Sequence, residues 1–582
     1  MLLQRLVEYS GRIPSTPVMY NKLAVKWVID IDDDGNFLGM SPTSDSGKKN
    51  DRGKEFQTPH VSKSSGVKAK LLADNGEYVL GKAREGSDVE KVKTRHSAFI
   101  KLIETAEQST GEPTLKAIWT FYQKEQKNKI TLSNDFDPSH NITFRVNGML
   151  PFELSTVQQF WAKYLGVTES ENKDEKSDKD VMECIVCGKT KPVLRRLPIK
   201  IKNIPKGQKA GNVLISANSP AFGSYGLEES LIAPICHNDS EKFSKAVNAL
   251  LQGENTHIAA GPLVYIFWTK EETGFSFASL LSKPTPSDVQ ALIESVYGGK
   301  EALTVVDEIK FFASAFSASG SRVAVRDWLE TTVSSAKQNL ARYFSLQRIV
   351  EPNGEPHNPL GLYSLSAATV PRKKEKPDFD QLNPNVPRVL LKCALDGNTL
   401  PDWLLFQAVK RTKAEQDVRK GHAAIIKMVM LSKETDKPIQ EGKMEQLELT
   451  NQEPAYLCGR LLRVIESIQY EAQGKTNTTV VGRFYGSASS APASVFGILL
   501  QRAQANLEKL RKEKERAYKS LQAKIANITY PNLKSFPKTL NLEQQGLFAL
   551  GYYHQRAKDI GDAIAYKAQK ENVKNKQEAD NE

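Results

Sequence analysis

Residues 22–41, KLAVKWVIDIDDDGNFLGMS, contain two β-favouring runs on either side of an Asp-Gly pair. Such a pair between two runs is a strong signal for a β-hairpin, because glycine adopts the positive φ that a tight turn needs. The loop also imitates the start of a calcium-binding loop, but Ser41 stands at the twelfth position, where a bidentate Glu is required. The stretch therefore predicts a hairpin and a strand-rich beginning of the chain.

Helical and strand patterns alternate outward from this hairpin. Apolar residues recur at helical spacing in TRHSAFIKLIETAEQ (94–108), whereas RRLPIKIKNI (195–204), GNVLISAN (211–218) and GPLVYIFW (261–268) favour strands. Polar segments without periodicity, at 41–56 and 169–181, predict flexible surface. Residues 371–387 combine prolines with a run of charges and predict a linker.

Beyond residue 388 the pattern becomes helical throughout, and SVFGILLQRAQANLEKLRKEKERAYKSLQAKI (494–525) predicts one long amphipathic helix. The fold class expected is α+β and multi-domain, with a strand-rich irregular N-terminal region followed by a C-terminal α-helical bundle. We place the domains at 1–168, at 182–370 and at 388–582, with 371–387 as the linker between the last two.

The composition is that of a soluble protein with a polyanionic partner. The 582 residues carry a formal net charge of +12 and five cysteines, too few for a disulfide framework. No stretch approaches the ~18 uncharged apolar residues of a membrane span, and the first residues, with Arg5 and Glu8, predict an amphipathic helix and not a signal peptide. A cytoplasmic location and nucleic-acid binding are expected, since clustered Lys and Arg release phosphate counterions.

Motifs of phosphate-binding loops and of zinc peptidases do not occur, and the eight histidines are scattered. We therefore expect a binding protein that is not an enzyme and needs no cofactor. The alternatives left open are a nucleic-acid-processing enzyme, such as a nuclease, with an unrecognised active site, and an RNA-associated scaffold.

Cys184 and Cys187 have the spacing of half a metal site, and Gly188 suits the tight turn of a zinc knuckle. A redox pair is disfavoured, because such a pair normally opens a helix in a βαβ setting. The remaining zinc ligands would have to be Cys236 and His237, which are adjacent in sequence, so that their side chains diverge. The expectation is no metal, with zinc at Cys184 and Cys187 as the less favoured interpretation.

The basic run after the two cysteines is more informative. A period of two places Ile199 and Ile201 on one face of an extended segment and Lys200 and Lys202 on the other. A loop with two glycines follows, carrying Lys206, Gln208 and Lys209, and Arg322 and Arg326 share one face of a later predicted strand. These residues are candidates for contacts to a phosphate backbone, although alternating lysines are also the usual pattern of a solvated strand face.

Six segments in the expected order resemble the large subunit of type I-C CRISPR surveillance complexes (Cascade). They are MLLQRLVEY at the start, SGVKAKLLADNGEYVLG (65–81), GNVLISANSPAFGSYG (211–226), SASGSRVAVRDW (317–328), EPAYLCGRLLRVIESIQ (453–469) and LFALGYYHQR (547–556). In members of that family a Thr-like residue more often stands at the position of Cys187, which further disfavours zinc.

The resemblance implies a non-catalytic subunit near the 5′ end of a guide RNA. Its implied partners are the guide RNA, target double-stranded DNA, the backbone and handle-binding subunits of Cascade, small helical subunits and a separate helicase-nuclease. The subunit would recognise the motif flanking the target, help to open the duplex and form the R-loop, and recruit the nuclease for antiviral defence, while guide pairing reads the sequence.

Two further expectations depend on this resemblance. Flank recognition is expected in the N-terminal region, where Lys63, Lys68, Lys70 and Asn75 are candidates for DNA contacts, although the Asp-Asn-Gly at 74–76 is also an ordinary turn. The family obtains its small helical subunit by internal translation of the same gene. Met444 follows a polar stretch with Pro438 and Gly442, and is the expected internal start.

Overall fold

The computed structural model describes residues 1–14, 16–44, 51–61, 63, 67–133, 135–165, 180–217, 219–297, 308–434, 442–530 and 533–579, with side chains up to residue 572. The α-helices within these ranges are α1 (Leu2–Ser10), α2 (Gly76–Val79), α3 (Val89–Thr110), α4 (Pro113–Gln123), α5 (Ser155–Tyr164), α6 (His237–Leu250), α7 (Phe277–Ser282), α8 (Pro286–Tyr297), α9 (Val333–Gln347), α10 (Leu362–Ala367), α11 (Asn385–Asp396), α12 (Asp402–Glu415), α13 (Lys420–Ser432), α14 (Pro454–Gln473), α15 (Val480–Ala488), α16 (Phe496–Glu513), α17 (Glu515–Thr529) and α18 (Leu542–Ala579).

The strands are β1 (Tyr20–Val25), β2 (Trp27–Ile31), β3 (Phe37–Pro42), β4 (Lys54–Pro59), β5 (Ala73–Asn75), β6 (Asn141–Val146), β7 (Val181–Glu183), β8 (Thr190–Pro192), β9 (His257–Ala260), β10 (Leu263–Thr269), β11 (Lys310–Ser319), β12 (Arg322–Thr332), β13 (Arg372–Lys373) and β14 (Lys376–Pro377). The expected α+β fold class, with strands concentrated early and helices late, is confirmed. None of the described helices is long and apolar enough to cross a membrane.

The chain forms two compact units. The first comprises Met1–Lys202, Gln208–Ala249 and Gly320–Val323, and the second comprises Asn203–Gly207, Leu250–Ser319 and Ala324–Glu582. Segment 371–387, expected to be a linker, lies within the second unit, where it contains β13 and β14 and contributes the buried Leu382 to the core. The domain limits suggested by the sequence stay a prediction.

The first unit is built on a four-stranded sheet of order β3-β2-β6-β5. The predicted hairpin is confirmed, since β2 pairs with β3 in antiparallel register around Gly35, whose φ is +74°. Asp32 accepts hydrogen bonds from the backbone and side chain of Asn36, and Asp30 pairs with Arg145 at 2.6 Å. These carboxylates thus close a turn and hold β6 against β2, which accounts for the acidic loop.

Helix α4 lies against β2 and β6 of this sheet, and α3 packs on α4. The Asp88 carboxylate caps α3 by accepting from two backbone N–H groups, and Gly111 ends the helix in the left-handed conformation. Phe121 and Tyr122 of α4 pack against Phe144 of β6, with ring centroids 5.6 and 5.9 Å apart. The first unit therefore has its own hydrophobic core, independent of the helical part of the chain.

Two of the three strands predicted between residues 195 and 268 do not form. Residues 195–204 and 211–217 are joined only by an isolated antiparallel bridge between Ile201 and Asn212. Prolines at 198 and 205 lack the N–H that a longer ladder would need. The third, at 261–268, corresponds to β10 and is confirmed.

The second unit combines a sheet of order β12-β11-β10-β9 with the helices from α7 onward. The single long helix expected at 494–525 is wrong, because the helix breaks at Lys514, which has φ −145° and ψ 65°. The Lys514 ammonium group donates to the carbonyl of Glu471 at the end of α14. The periodicity alone would continue the helix through Lys514, where the structure instead separates α16 from α17.

Helix α14 is the centre of the C-terminal bundle, since α15, α16, α17 and α18 all lie against it. The tightest pairing is with α18, where Gly459 and Gly551 allow the two backbones to touch. Polar contacts fix the register of the pair: the Tyr456 hydroxyl lies 3.0 Å from Nδ1 of His554, and the Arg460 guanidinium donates to Gln555. These bonds join buried groups, so a shift of one helix along the other would leave them unsatisfied.

Candidate nucleic-acid interface

A cleft of about 420 Å³ in the first unit is lined by five lysines drawn from distant parts of the sequence. The lining residues are Asn21, Lys22, Leu23, His60, Val61, Lys63, Lys70, Pro198, Lys200, Lys202 and Ala210. The sequence assigned Lys63 and Lys70 to one expected site and Lys200 and Lys202 to another. The fold brings all four to the same cleft.

Two local structures position these side chains. Strand β1 pairs with β4, with Tyr20 opposite Pro59, so Lys22 lies near the segment that leaves β4 at His60. On the opposite side, Ile199 and Ile201 are buried, which turns Lys200 and Lys202 away from the core. The period of two predicted for this segment is therefore confirmed, although it is not part of a regular strand.

The carboxylate of Asp74 contacts two of the residues that line the cleft. The Lys63 ammonium group lies 2.6 Å from both carboxylate oxygens of Asp74 and 3.5 Å from the centre of the Tyr78 ring. The same carboxylate accepts from the backbone N–H of Lys70 at 2.9 Å. Asp74 thus holds Lys63 and the Lys70 backbone in place and offsets only part of the positive charge.

Burial and crowding weaken the charged forms of several of these groups. Burial lowers the pKa of Lys63 to about 8, although the Asp74 carboxylate acts in the opposite direction. Burial also lowers the pKa of Lys70, and the positive charge of Lys202 lowers it further. The pKa of His60 falls to about 4 because the ring is buried beside Lys70 and Lys202. An anion in the cleft would relieve the repulsion among these cations.

Asn75 and Lys68, the other two candidates of the N-terminal region, do not line the cleft. The Asn75 side-chain oxygen caps α2, accepting from the backbone N–H groups of Glu77 and Tyr78 at 3.1 and 3.4 Å. Lys68 is exposed and lies two residues before Lys70, whose backbone N–H donates to Asp74. The turn at 74–76 therefore has a structural role, and base contact by either residue stays a prediction.

The glycine-containing loop after Lys202 is closely packed against the lysine segment at one point. A Cβ at Gly211 would lie 2.8 Å from Cβ of Lys200, and Gly211 has φ +88°. Gln208 and Lys209 are exposed in the first unit, whereas Lys206, in the second unit, lies 4.0 Å from Asp380. Of this group of candidates, only Lys200 and Lys202 line the cleft.

Arg322 and Arg326 belong to different units although they share a strand. Arg322 lies in the first unit, with its guanidinium 3.9 Å from the centre of the Phe222 ring. Arg326 lies in the second unit and donates to the Ser317 hydroxyl at 2.7 Å. Neither arginine lines the cleft.

Lys22 and His60 were missed by the sequence reasoning. Lys22 looked like an ordinary exposed residue of a predicted strand, and no local pattern marks His60. Their position depends on the β1–β4 pairing and on a contact with residues about 140 positions later in the chain. Pairing over such a distance has no signature in a single sequence.

A larger cavity, of about 760 Å³, lies in the second unit between α14, α17 and α18. Four cations and three carboxylates line it, so its positive and negative charges nearly balance. Two of the cations are in ion pairs, Arg463 with Glu466 at 2.7 Å and Lys524 with Asp559 at 2.6 Å. The lysine cleft of the first unit, with five lysines and no carboxylate among its described lining residues, is therefore the better candidate for a polyanion.

The Cys-x-x-Cys of the sequence also meets partners in the first unit. Cys184, Cys187, Cys236 and Asp239 place one ligand atom each within 4.8 Å of one another. His237, considered beside Cys236 on sequence grounds, is not among them, and its ring lies 3.9 Å from Glu241. The fourth residue of the cluster is therefore Asp239, three residues after Cys236, and not His237.

Comparison with protein families shows a match over most of the chain. The model of a family described as CRISPR-associated protein (Cas_Csd1) matches residues 3–559, nearly the whole chain. No curated protein matches the sequence significantly.

Proposed function

Because the chain belongs to the Cas_Csd1 family of CRISPR-associated proteins, we propose that it is the large subunit of a type I-C Cascade surveillance complex. In this role it recognises the motif flanking a DNA target, assists duplex opening and R-loop formation, and recruits a helicase-nuclease for antiviral defence. It acts in the cytoplasm by binding and contributes no catalytic residue.

The observation that carries this proposal is the lysine cleft. Five lysines and no carboxylate are among its lining residues, so its field attracts a phosphate backbone. Contacts between lysines and phosphates fix the position of a duplex without reading its bases. This suits a protein that holds DNA beside a guide RNA, because guide pairing then supplies the sequence specificity.

Lys68 and Asn75 are proposed to inspect the flanking bases. Lys68 is exposed and lies two residues before Lys70, which lines the cleft. The Asn75 oxygen is occupied as a helix cap, which leaves the amide N–H₂ as its possible donor to a base. Both residues would then contact bases while the cleft holds the backbone.

The C-terminal bundle is proposed to exist also as a separate small subunit that begins at Met444. A product of residues 444–582 would contain α14 to α18 and keep the contacts of α14 with the other four helices. This product would lack α12 and α13, so the face of α18 that packs on them would lose its contacts. At that face, Arg556 pairs with Asp417 and donates to the carbonyl of Val418. That face would be free to pack against the Cascade backbone.

The decisive experiment uses the assembled complex with guide RNA and labelled target duplexes that differ only in the flanking motif. Binding should depend on that motif and should fall when Lys200 and Lys202 are both replaced by Ala. Exposed Lys116 of α4, which does not line the cleft, provides the control variant. The proposal fails if target binding is independent of the chain, or if the purified chain alone cleaves nucleic acid and a point mutation abolishes the cleavage.

A further inference from the structure

Cys184 and Cys187 lie on a tight turn between β7 and β8. The backbone N–H of Gly188 donates to the carbonyl of Cys184 at 2.8 Å, and that of Cys184 donates to the carbonyl of Lys189 at 3.0 Å. Gly188 has φ +68°, a conformation that glycine adopts at little cost. This turn points both thiols to the same side of the hairpin, as in a zinc knuckle.

Cys236 and Asp239 face the turn from the beginning of α6. Cys236 directly precedes the helix and Asp239 lies in its first turn. One carboxylate oxygen of Asp239 is 3.3 Å from the sulfur of Cys184 and 3.2 Å from the sulfur of Cys236. Two backbone hydrogen bonds, from Ile185 to Pro234 and from Leu194 to Ile235, hold the hairpin against this segment.

The distances fit a tetrahedral ion. A zinc–sulfur bond of ~2.3 Å implies ligand–ligand edges of about 3.8 Å, and the four ligand atoms here all lie within 4.8 Å of one another. Cys184, Cys236 and Asp239 are buried, whereas Cys187 is exposed. The polar partners of the buried Asp239 carboxylate in this cluster are two thiols, which are weak donors.

We propose that Cys184, Cys187, Cys236 and Asp239 bind one structural zinc ion. Thiolate ligands favour zinc over magnesium or calcium. Four protein ligands close the coordination shell, which is typical of a structural and not a catalytic site. Binding releases the thiol protons to solvent and involves no change of oxidation state.

The zinc site would also order one wall of the lysine cleft. Cys236 and Asp239 stand at the beginning of α6, and Asn248 lies near its end. The Asn248 side chain donates to the carbonyl of Lys200 at 3.0 Å and accepts from the backbone N–H of Lys202 at 2.9 Å. The lysine segment has no regular ladder of its own. Fixing the start of α6 to the hairpin therefore fixes the helix that holds Lys200 and Lys202.

The test is elemental analysis of the purified full-length chain by inductively coupled plasma mass spectrometry. We expect about one zinc per chain, falling to near zero in Cys236→Ser and Asp239→Ala. Cys187→Ser should also lose most of the metal, and since Cys187 is exposed, this variant should still fold. Asp239→Cys should retain zinc, because it creates a four-cysteine site. Cys393→Ser, which changes a buried thiol of the second unit, should leave the metal content unchanged.

Three results would overturn the proposal. They are a wild-type chain free of metal after expression in zinc-supplemented medium, stoichiometric iron in place of zinc, and a disulfide between two of the three cysteines detected by intact mass. Removal of zinc with a chelator should lower the melting temperature of wild type but not that of Cys187→Ser. An equal response of the two proteins would also count against the site. None of these measurements depends on DNA binding, so the zinc site and the proposed function can fail separately.

Discussion

Gly551 of α18 lies so close to α14 that a Cβ at this position would be 2.1 Å from the carbonyl oxygen of Tyr456. The relation is reciprocal, since a Cβ at Gly459 of α14 would be 2.0 Å from the carbonyl oxygen of Phe548. The obstacle in both cases is backbone, which cannot turn aside as a side chain does. These two glycines allow the closest helix pair of the C-terminal bundle to form.

Gly551→Ala is expected to destabilise the protein, because the two helices must move apart to accept the methyl group. Overpacking costs about 1–3 kcal/mol, and the gain in helix propensity of ~1 kcal/mol only partly offsets it. Urea denaturation followed by circular dichroism measures the change. Gly486→Ala on α15 is the control, since nothing lies within 4 Å of a Cβ there. Equal or greater stability of Gly551→Ala would contradict the close approach.

Residues 444–582 are expected to fold without the rest of the chain. The bonds that fix α14 on α18, including that from the Tyr552 hydroxyl to Glu466 at 2.8 Å, all lie within this fragment. A recombinant fragment should give a helical spectrum and a cooperative thermal transition, and Gly551→Ala should weaken that transition. A molten fragment without a transition would contradict the expectation.

Met444→Leu in the full-length gene is expected to remove a small C-terminal species while leaving the long chain intact. Leucine preserves the packing of this half-buried side chain on the core, and the leucine codon used is one that does not start translation, such as CTC. Intact-mass spectrometry of the expressed products decides the matter. Persistence of a fragment with the same N-terminus, or its absence from wild type, would refute an internal start at Met444.

Lys200→Ala and Lys202→Ala are each expected to weaken binding to every DNA sequence alike. Loss of one phosphate contact should flatten the plot of log affinity against log salt by about one unit. Titrations at several salt concentrations, on targets with different flanks, measure both effects. Lys116→Ala should change neither. A lysine variant that instead alters which flank is preferred would show that its side chain reads bases.

The affinity for DNA is expected to fall as the pH rises through about 8. The pKa of Lys63 is lowered to about 8 by burial, so its ammonium group is charged below that pH and loses its charge above it. Since only the charged form attracts phosphate, the loss of affinity follows deprotonation. Lys63→Arg keeps a charge throughout this range and should flatten the profile between pH 7 and 9. The same slope in both proteins would exclude Lys63 as the titrating group.

Substitutions of Asn75 can separate its two roles. Asn75→Ala removes the cap of α2 and should cost about 1 kcal/mol of stability. Asn75→Asp keeps an oxygen for the cap but loses the amide N–H₂, so stability should be retained while flank preference changes. Thermal melting and binding to targets with altered flanks measure the two properties. An unchanged flank preference in Asn75→Asp would leave only the capping role.

Local patterns determined much of the fold. The Asp-Gly pair at 34–35 was enough for the β2–β3 hairpin, and alternation from Ile199 to Lys202 was enough to predict which side chains are buried. Helical periodicity indicated the C-terminal bundle, and the resemblance of six segments to a CRISPR-associated protein agrees with the family match. For the hairpin, the alternation and the bundle, the cause acts between neighbours in the chain, through turn geometry or through one face meeting a core.

The tertiary structure decided which distant residues meet. Periodicity continues through Lys514, but the helix breaks there, where the Lys514 side chain contacts Glu471 of α14. Cys184 and Asp239 come together only because a hairpin packs against the beginning of α6. Lys22, Lys63 and Lys200 likewise share one cleft only in the folded chain. Strand pairing and helix packing act between residues that are far apart in the chain, and a single sequence carries no local signal of such contacts.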